Sequence, residues 1–286
     1  RRYCYSMKCI KTHYVFRALI IFCGCFIFLV EKSYSQNTEK RFVKVDSSQT
    51  GMTFINTVPL PSFFKTKDIM FTITAGGTAA GDLNNDGLID VVFTGAYTRN
   101  KVFLNKGNFH FEEKVNALLC KDTTGMSFGV SIVDVNGDGW NDVFVCKYGN
   151  SPNELFINNQ DGTFTELAAS YGLNWSGNSI HSTFFDYDND GDLDMYLVVN
   201  GKLVEGYKHT GGDQDRFYRN NGNGTFTDIT EIAGFKDKGY GLSATAADIN
   251  NDGWVDIFVG QDFEQRDLLY INQKNGTFKD MANDAF

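Results

Sequence analysis

An all-β fold built from one repeated four-stranded unit is what this sequence predicts, and three features predict it. An acidic nine-residue stretch recurs four times, each copy is followed by a short apolar run, and an Asn and then a Phe close every unit. A fixed period of this kind marks a repeat architecture. Helix-pair repeats would place apolar residues three and four apart, which these segments do not do.

The acidic stretch carries the chemistry. In its densest copy Asp186, Asp188, Asp190, Asp192 and Asp194 crowd together, with Gly191 behind the third acid. Like charges in one turn repel and raise their own pKa values, and a hard cation relieves them. Calcium takes roughly six to eight oxygen ligands, and a glycine lets the loop turn sharply around the ion. The pattern D-x-[DN]-x-D-G-x-x-D returns as Asp82, Asn84, Asp86, Gly87, Asp90, as Asp134, Asn136, Asp138, Gly139, Asp142, and as Asp248, Asn250, Asp252, Gly253, Asp256. One copy also reads as a metal-free Asn/Asp-Gly hairpin turn. Four copies with one ligand spacing favour about four Ca2+ sites.

An EF-hand would need Glu at the twelfth position and a helix after it. The twelfth positions are Phe93, Val145, Leu197 and Val259, inside apolar runs that read as strands. Side chains at positions one, three, five and nine are the expected ligands. The backbone carbonyl of position seven, from Leu88, Trp140, Asp192 and Trp254, is the expected fifth. Asp188 stands where the other copies have Asn, so the third loop should bind tightest, ligand charge being one determinant of calcium affinity. Trp140 and Trp254 read as packing residues between units, with a ligand contact as the other reading.

Taken in order, the chain opens with Lys8, Lys11 and Arg17 ahead of an apolar run from Ala18 to Val30, then Ser33 and Ser35. This is the order of a secretory signal peptide over residues 1–35. The run is too short for a comfortable membrane span. Lipoprotein cleavage before Cys25 fits less well, and Met7 reads as a start, since the first residue is Arg1. Residues 36–71 form an N-terminal segment in which Phe42 to Asn56 alternates like an outer strand, and Gly76 and Gly77 lead into the first loop.

Repeats fill residues 72–286, as units at about 72–120, 121–173, 174–236 and 237–286. The first ligands sit at 82, 134, 186 and 248. A small-residue strand such as Ser243 to Ala247 enters each loop. An apolar strand leaves it, as Val91 to Thr94, Val143 to Cys146, Met195 to Val199 or Ile257 to Gly260. A third strand ends at Asn105, Asn158, Asn220 or Asn272, and a fourth carries Phe111, Phe164, Phe226 or Phe278. The longer third unit places an insertion near Gly201 to Asp215. Four short strands per unit predict β-propeller blades, with insertions tending to mark the binding face.

Residues 1–35 carry six basic side chains and one acid, so the rest of the chain, at −14, is more acidic than the total of −9. That balance argues against a nucleic-acid partner. Much of the acidity is metal-ligand inventory. Cys120 and Cys146, the two cysteines beyond the leader, make no disulfide framework and read either as a pair or as two small buried hydrophobes.

The runs Gly81 to Asp90 and Asp186 to Met195, the strand end Leu155 to Asn158 and the stretch Gly224 to Gly234 resemble FG-GAP or VCBS repeats. The chain is similar to secreted bacterial propellers that precede an ASPIC/UnbV domain, akin to cartilage acidic protein, over about residues 42–286. The resemblance implies a seven-bladed propeller with calcium between first and second strands, like integrin α-chain blades. Four blades are fewer than seven, so the chain reads as an N-terminal fragment, with Phe42 to Val45 completing a blade whose other strands are elsewhere.

Catalysis finds little support. His110, His181 and His209 have no Ser, Cys or Glu partner at a recognisable spacing. His181 reads either as a channel-facing group or as a hydrogen-bonded structural one. No P-loop or zinc spacing is present. The expectation is a non-enzymatic scaffold, secreted or at a cell surface or periplasmic, binding a protein or glycan through one loop face, without a membrane span after signal cleavage. The alternative is the propeller of a secreted polysaccharide-acting enzyme.

Overall fold

The computed structural model describes residues 43–57, 74–118, 125–149, 151–201, 213–236, 238–262 and 265–285. The chain divides into two compact units, 1–44 and 45–286, and nearly all described residues belong to the second. The expected signal peptide, Cys120, His209 and most of the 201–215 insertion lie outside the described residues. No helix among those described is long and apolar enough to cross a membrane.

Four four-stranded antiparallel sheets follow one another. The first is β1 (Thr78–Gly81), β2 (Asp90–Phe93), β3 (Lys101–Asn105) and β4 (Phe111–Lys114). The second is β5 (Met126–Val133), β6 (Asp142–Tyr148), β8 (Glu154–Asn158) and β9 (Phe164–Glu166), with β7 (Ser151–Pro152) between its middle strands. The third is β11 (Ser179–Phe185), β12 (Asp194–Val199), β14 (Arg216–Asn220) and β15 (Phe226–Asp228). The fourth is β17 (Gly241–Ala247), β18 (Asp256–Gln261), β19 (Leu268–Asn272) and β20 (Phe278–Asp280). Two-residue ribbons pair β7 with β10 (Ser176–Gly177) and β13 (Asp213–Gln214) with β16 (Lys238–Gly239). Each sheet is a meander in chain order, the β-propeller blade expected.

The core lies between blades, and strand periodicity puts it there. Successive side chains of a strand face opposite ways. Val143 and Val145 of β6 therefore join Val92 and Val102 of the first blade, while Phe144 and Cys146 join Met195 and Leu197 of the third. β12 repeats the device, since Tyr196 and Val198 face Ile257 and Tyr270 of the fourth blade. A strand covered on both faces reads as a continuous apolar run, and β12 is buried along its whole length.

Inner strands meet closely, because β5 neighbours β1 and β11, and β11 neighbours β17. Ser131 Oγ donates to the Ser182 carbonyl at 3.1 Å, and Thr183 Oγ1 to the Ala244 carbonyl at 3.1 Å. These bonds explain the small polar residues on strands that enter the loops.

The segment before the first blade departs from expectation. Between Val43 and Asn56 there is no strand but one helical turn, α1 (Ser47–Thr50). Asp46 caps it, accepting from Ser48 N at 2.9 Å, and Gly51 ends it at φ 76°. Val43 to Val45 run without a ladder partner among the described residues, and extended residues form a strand only beside another. The turn itself matches the other blades. After the fourth strands come α2 (Ala168–Tyr171) ending at Gly172, α3 (Thr230–Ala233) ending at Gly234, and α4 (Ala282–Ala285). Gly172 approaches the Phe226 carbonyl and Gly234 the Phe278 carbonyl, each of the next blade, so that a Cβ would sit 2.9 Å from it. Gly51 meets the Phe111 carbonyl in the same way.

Candidate metal centres

Each acidic loop joins an inner strand to the second strand, and its first aspartate shapes it. Asp134 Oδ1 accepts from Asp138 N at 3.1 Å and its Oδ2 from Gly139 N at 2.8 Å. Asp82, Asp186 and Asp248 do the same for positions five and six of their loops. Position five then caps position seven, as where Asp190 Oδ1 accepts from Asp192 N at 2.9 Å. Positions four and six both take positive φ. Position six is glycine throughout, and position four is Asn85, Gly137, Asn189 or Asn251, residue types that tolerate that conformation.

The ninth aspartate is a buried clamp. Asp90, Asp142, Asp194 and Asp256 are at most 1% exposed. In each, Oδ2 accepts from the amide of loop position two and Oδ1 from the Asn that ends the third strand. The Asp194 bonds are 3.1 Å from Tyr187 N and 2.8 Å from Asn220 N. In Asp90, Asp142 and Asp194 burial dominates the acidity, with the amide bonds opposing and neighbouring carboxylates adding to it. It pushes Asp194 up to about 7 and Asp142 up to about 6, and it raises Asp90.

The third loop brings most together. Ligand oxygens of Asp186, Asp188 and Asp194, positions one, three and nine, lie within 4.8 Å of one another. Asp190, expected at position five, stands outside that trio. Asp188 Oδ1 is buried without a hydrogen-bond partner among the described residues. In the first two loops Asn84 and Asn136 turn their amide groups onto Asp86 and Asp138 at 3.1 and 3.2 Å. A carboxylate has no such donor. The orphaned oxygen fits a cation.

Position five differs between loops. Gln160 Nε2 donates to Asp138 Oδ2 at 3.3 Å, and in the fourth loop Lys274 Nζ lies 3.2 Å from Asp252 Oδ2. Trp140 and Trp254 are half-buried at the loops and belong to none of the apolar clusters between blades. Their side chains do not supply the packing expected of them.

Sequence reading missed the reach of the third-strand Asn. Asn158 Nδ2 donates to the Leu83 carbonyl of the preceding blade at 2.8 Å. Asn220 reaches the Val135 carbonyl at 3.2 Å and Asn272 the Tyr187 carbonyl at 2.8 Å. Every acceptor is position two of the previous loop, so each turn is tied to its neighbour. Asn141 Nδ2 adds a bond to the Asp82 carbonyl at 2.7 Å. Among the remaining candidates, His110 is exposed, and Cys146 is a buried free thiol pushed up to about 12 by burial.

The FG-GAP-like repeat model matches residues 82–145, 134–197, 206–259 and 248–286. Three of these matches begin on the first aspartate of a loop. The chain belongs to the FG-GAP-like repeat family. Its FG-GAP repeats are 24% identical over 235 residues to cartilage acidic protein 1 of Xenopus tropicalis, covering 73% of this chain and 35% of that protein. They are 32% identical over 146 residues to integrin alpha-PS5 of Drosophila melanogaster, covering 43% of this chain and 14% of that one. The chain thus spans about a third or less of the length of these relatives. A solved Agrocybe aegerita lectin, described as recognising non-reducing terminal N-acetylglucosamine, aligns at TM-score 0.43 and 20% identity over 72% of this chain and 51% of its own.

Proposed function

We propose that these FG-GAP repeats form a calcium-stabilised, non-catalytic binding scaffold outside the cytoplasm, engaging a protein or glycan through the loop face opposite the acidic turns. The third loop carries the metal part of this reading. Three carboxylates converge there, with one buried oxygen that has no donor among the described residues, a set that suits a hard cation with oxygen ligands. Asp186, Asp188 and Asp194 would hold it, and positions one, three and nine would do so in the other loops. A bound ion supplies the positive charge that the buried ninth aspartates lack. Because it binds only the folded loop, it stabilises by mass action.

Two cavities, of about 430 and 500 Å³, support a binding role, opening among the loops that join second to third and fourth to first strands. The basic and apolar leader supports an extracytoplasmic location.

Thermal unfolding of the chelator-treated chain during calcium titration tests the reading. A midpoint that climbs with calcium is expected, and one indifferent to it overturns the metal role. Turnover of a polysaccharide by the folded chain would overturn the non-catalytic part.

A further inference from the structure

We infer that the cavity between the first and second blades takes a carboxylated sugar, its carboxylate on Arg99 and its ring against Tyr97. This rests on the scaffold reading above and names its ligand class. The cavity, of about 430 Å³, falls in the usual range for small-ligand sites.

Chain direction puts this cavity away from the acidic loops. Each such loop lies where a first strand ends and a second begins, whereas the cavity opens where β2 and β6 end and β5 begins. No carboxylate is among its described lining residues, and two cations are, Arg99 and Lys147. Lys147 is already engaged. It is 3% exposed, and its Nζ lies 3.8 Å from Glu154 Oε1 and 3.5 Å from Ser127 Oγ. Arg99 is exposed and has neither a hydrogen bond nor an ion pair with any described residue. The open charge of this wall is therefore a guanidinium within reach of solvent. Its planar fork matches a carboxylate with two parallel hydrogen bonds.

Tyr97, two residues earlier on the same loop, is 60% exposed, and neither its ring nor its hydroxyl has a partner among the described residues. An exposed ring of this kind offers a flat surface to the C–H face of a pyranose. Its hydroxyl donates and accepts, as sugar hydroxyls do. Leu118 and Met126 supply apolar wall. Other polar lining side chains are held within the fold: Thr98 bonds to Thr57 N at 3.0 Å and to the Ile55 carbonyl at 3.3 Å, and Asn100 and Tyr148 also have partners. A neutral sugar would cover Arg99 without giving its charge a partner. A lone acidic side chain from a peptide would meet the charge and leave most of the cavity empty. A ring that carries its own carboxylate does both.

The test uses the full chain loaded with calcium. Binding of the methyl glycosides of glucuronic and galacturonic acid and of N-acetylneuraminic acid is measured by calorimetry and saturation-transfer NMR, beside methyl glucoside and a triglutamate peptide. At least one acidic sugar is expected to bind, more tightly than either control. Arg99→Gln should weaken it by about tenfold or more, the loss of hydrogen bonds to a charged group. Tyr97→Ala should weaken it by about threefold or more, through the lost ring contact. Both positions are exposed, so neither substitution should move the unfolding midpoint. No acidic sugar bound by the folded protein, the glucoside bound equally well, or the peptide preferred overturns the proposal. Acidic-sugar binding unmoved by Arg99→Gln would remove this cavity and leave the scaffold reading standing. Stability indifferent to calcium would remove the scaffold reading by itself.

Discussion

Asn158 Nδ2 donates to the Leu83 carbonyl 75 residues away, while the Asn158 backbone amide donates to Asp142 Oδ1. One residue thus ties its own loop's ninth aspartate to the turn of the preceding blade. Asn220 and Asn272 repeat the arrangement over 85 residues each. Asn105, with no described blade before it, spends its amide on the nearby Ile89 carbonyl at 3.0 Å. The Asn that closes each third strand is therefore also the residue that ties its blade to the one before.

Removing that bond should loosen the contact between blades. Asn158→Ala leaves the buried Leu83 carbonyl without its donor, and a loss of about 1–3 kcal/mol is expected in urea unfolding. Asn105→Ala, at the half-exposed equivalent, should cost visibly less. Equal losses at the two positions would contradict the interblade assignment.

In the third loop, Asp188→Asn should lower calcium affinity, because it removes a charge and replaces the orphaned oxygen with an amide that can turn onto Asp190, as Asn84 turns onto Asp86. Calorimetry should show one class of site weakened by roughly tenfold, as expected for lost ligand charge, and the others unchanged. The converse change Asn136→Asp should strengthen the second loop.

The fourth loop already carries a cation. Lys274 Nζ bonds to the Asp252 carbonyl at 3.3 Å and pairs with its carboxylate, so calcium entering there competes with an ammonium group. Lys274→Gln should raise calcium affinity at that site several-fold, the pair being exposed and individually weak. Measured at high salt the gain should shrink, since screening weakens the competitor first.

The residues that repeat made the blades legible. Phe111, Phe164, Phe226 and Phe278 each open a fourth strand opposite the Asn that closes a third, and the amide of that Asn holds the buried ninth aspartate. The reach of Asn158 was not legible, since its acceptor belongs to another repeat and repeat spacing says nothing about which carbonyl lies alongside. The positive φ of position four was visible as Asn or Gly but was overshadowed by the acids beside it. At α1 alternation misled. Asp46, Ser47, Ser48 and Gly51 spell a capped helical turn, and the apolar alternation around them has no strand to pair with.

His181 gives the fold a dependence on acidity that can be separated from the acidic loops. Burial lowers its pKa below the ordinary 6.5, and its Nδ1 accepts from Ala244 N across the third and fourth blades. Protonation would set a donor against that amide. The folded chain therefore takes up the proton less readily than the unfolded chain. The contribution of His181 is fully present above about pH 6.5 and is lost as pH falls below it. His181→Asn keeps an acceptor in place without a titrating group. In saturating calcium, the stability of the native chain relative to this variant should be level between pH 7.5 and 8.5. It should then fall by up to about 1.4 kcal/mol per pH unit as the solution is taken toward pH 5. Taking the difference cancels the protonation of the acidic loops, which both proteins share. A difference that stays flat down to pH 5 would mean that the imidazole enters the folded state already charged, or that the Ala244 bond holds nothing together.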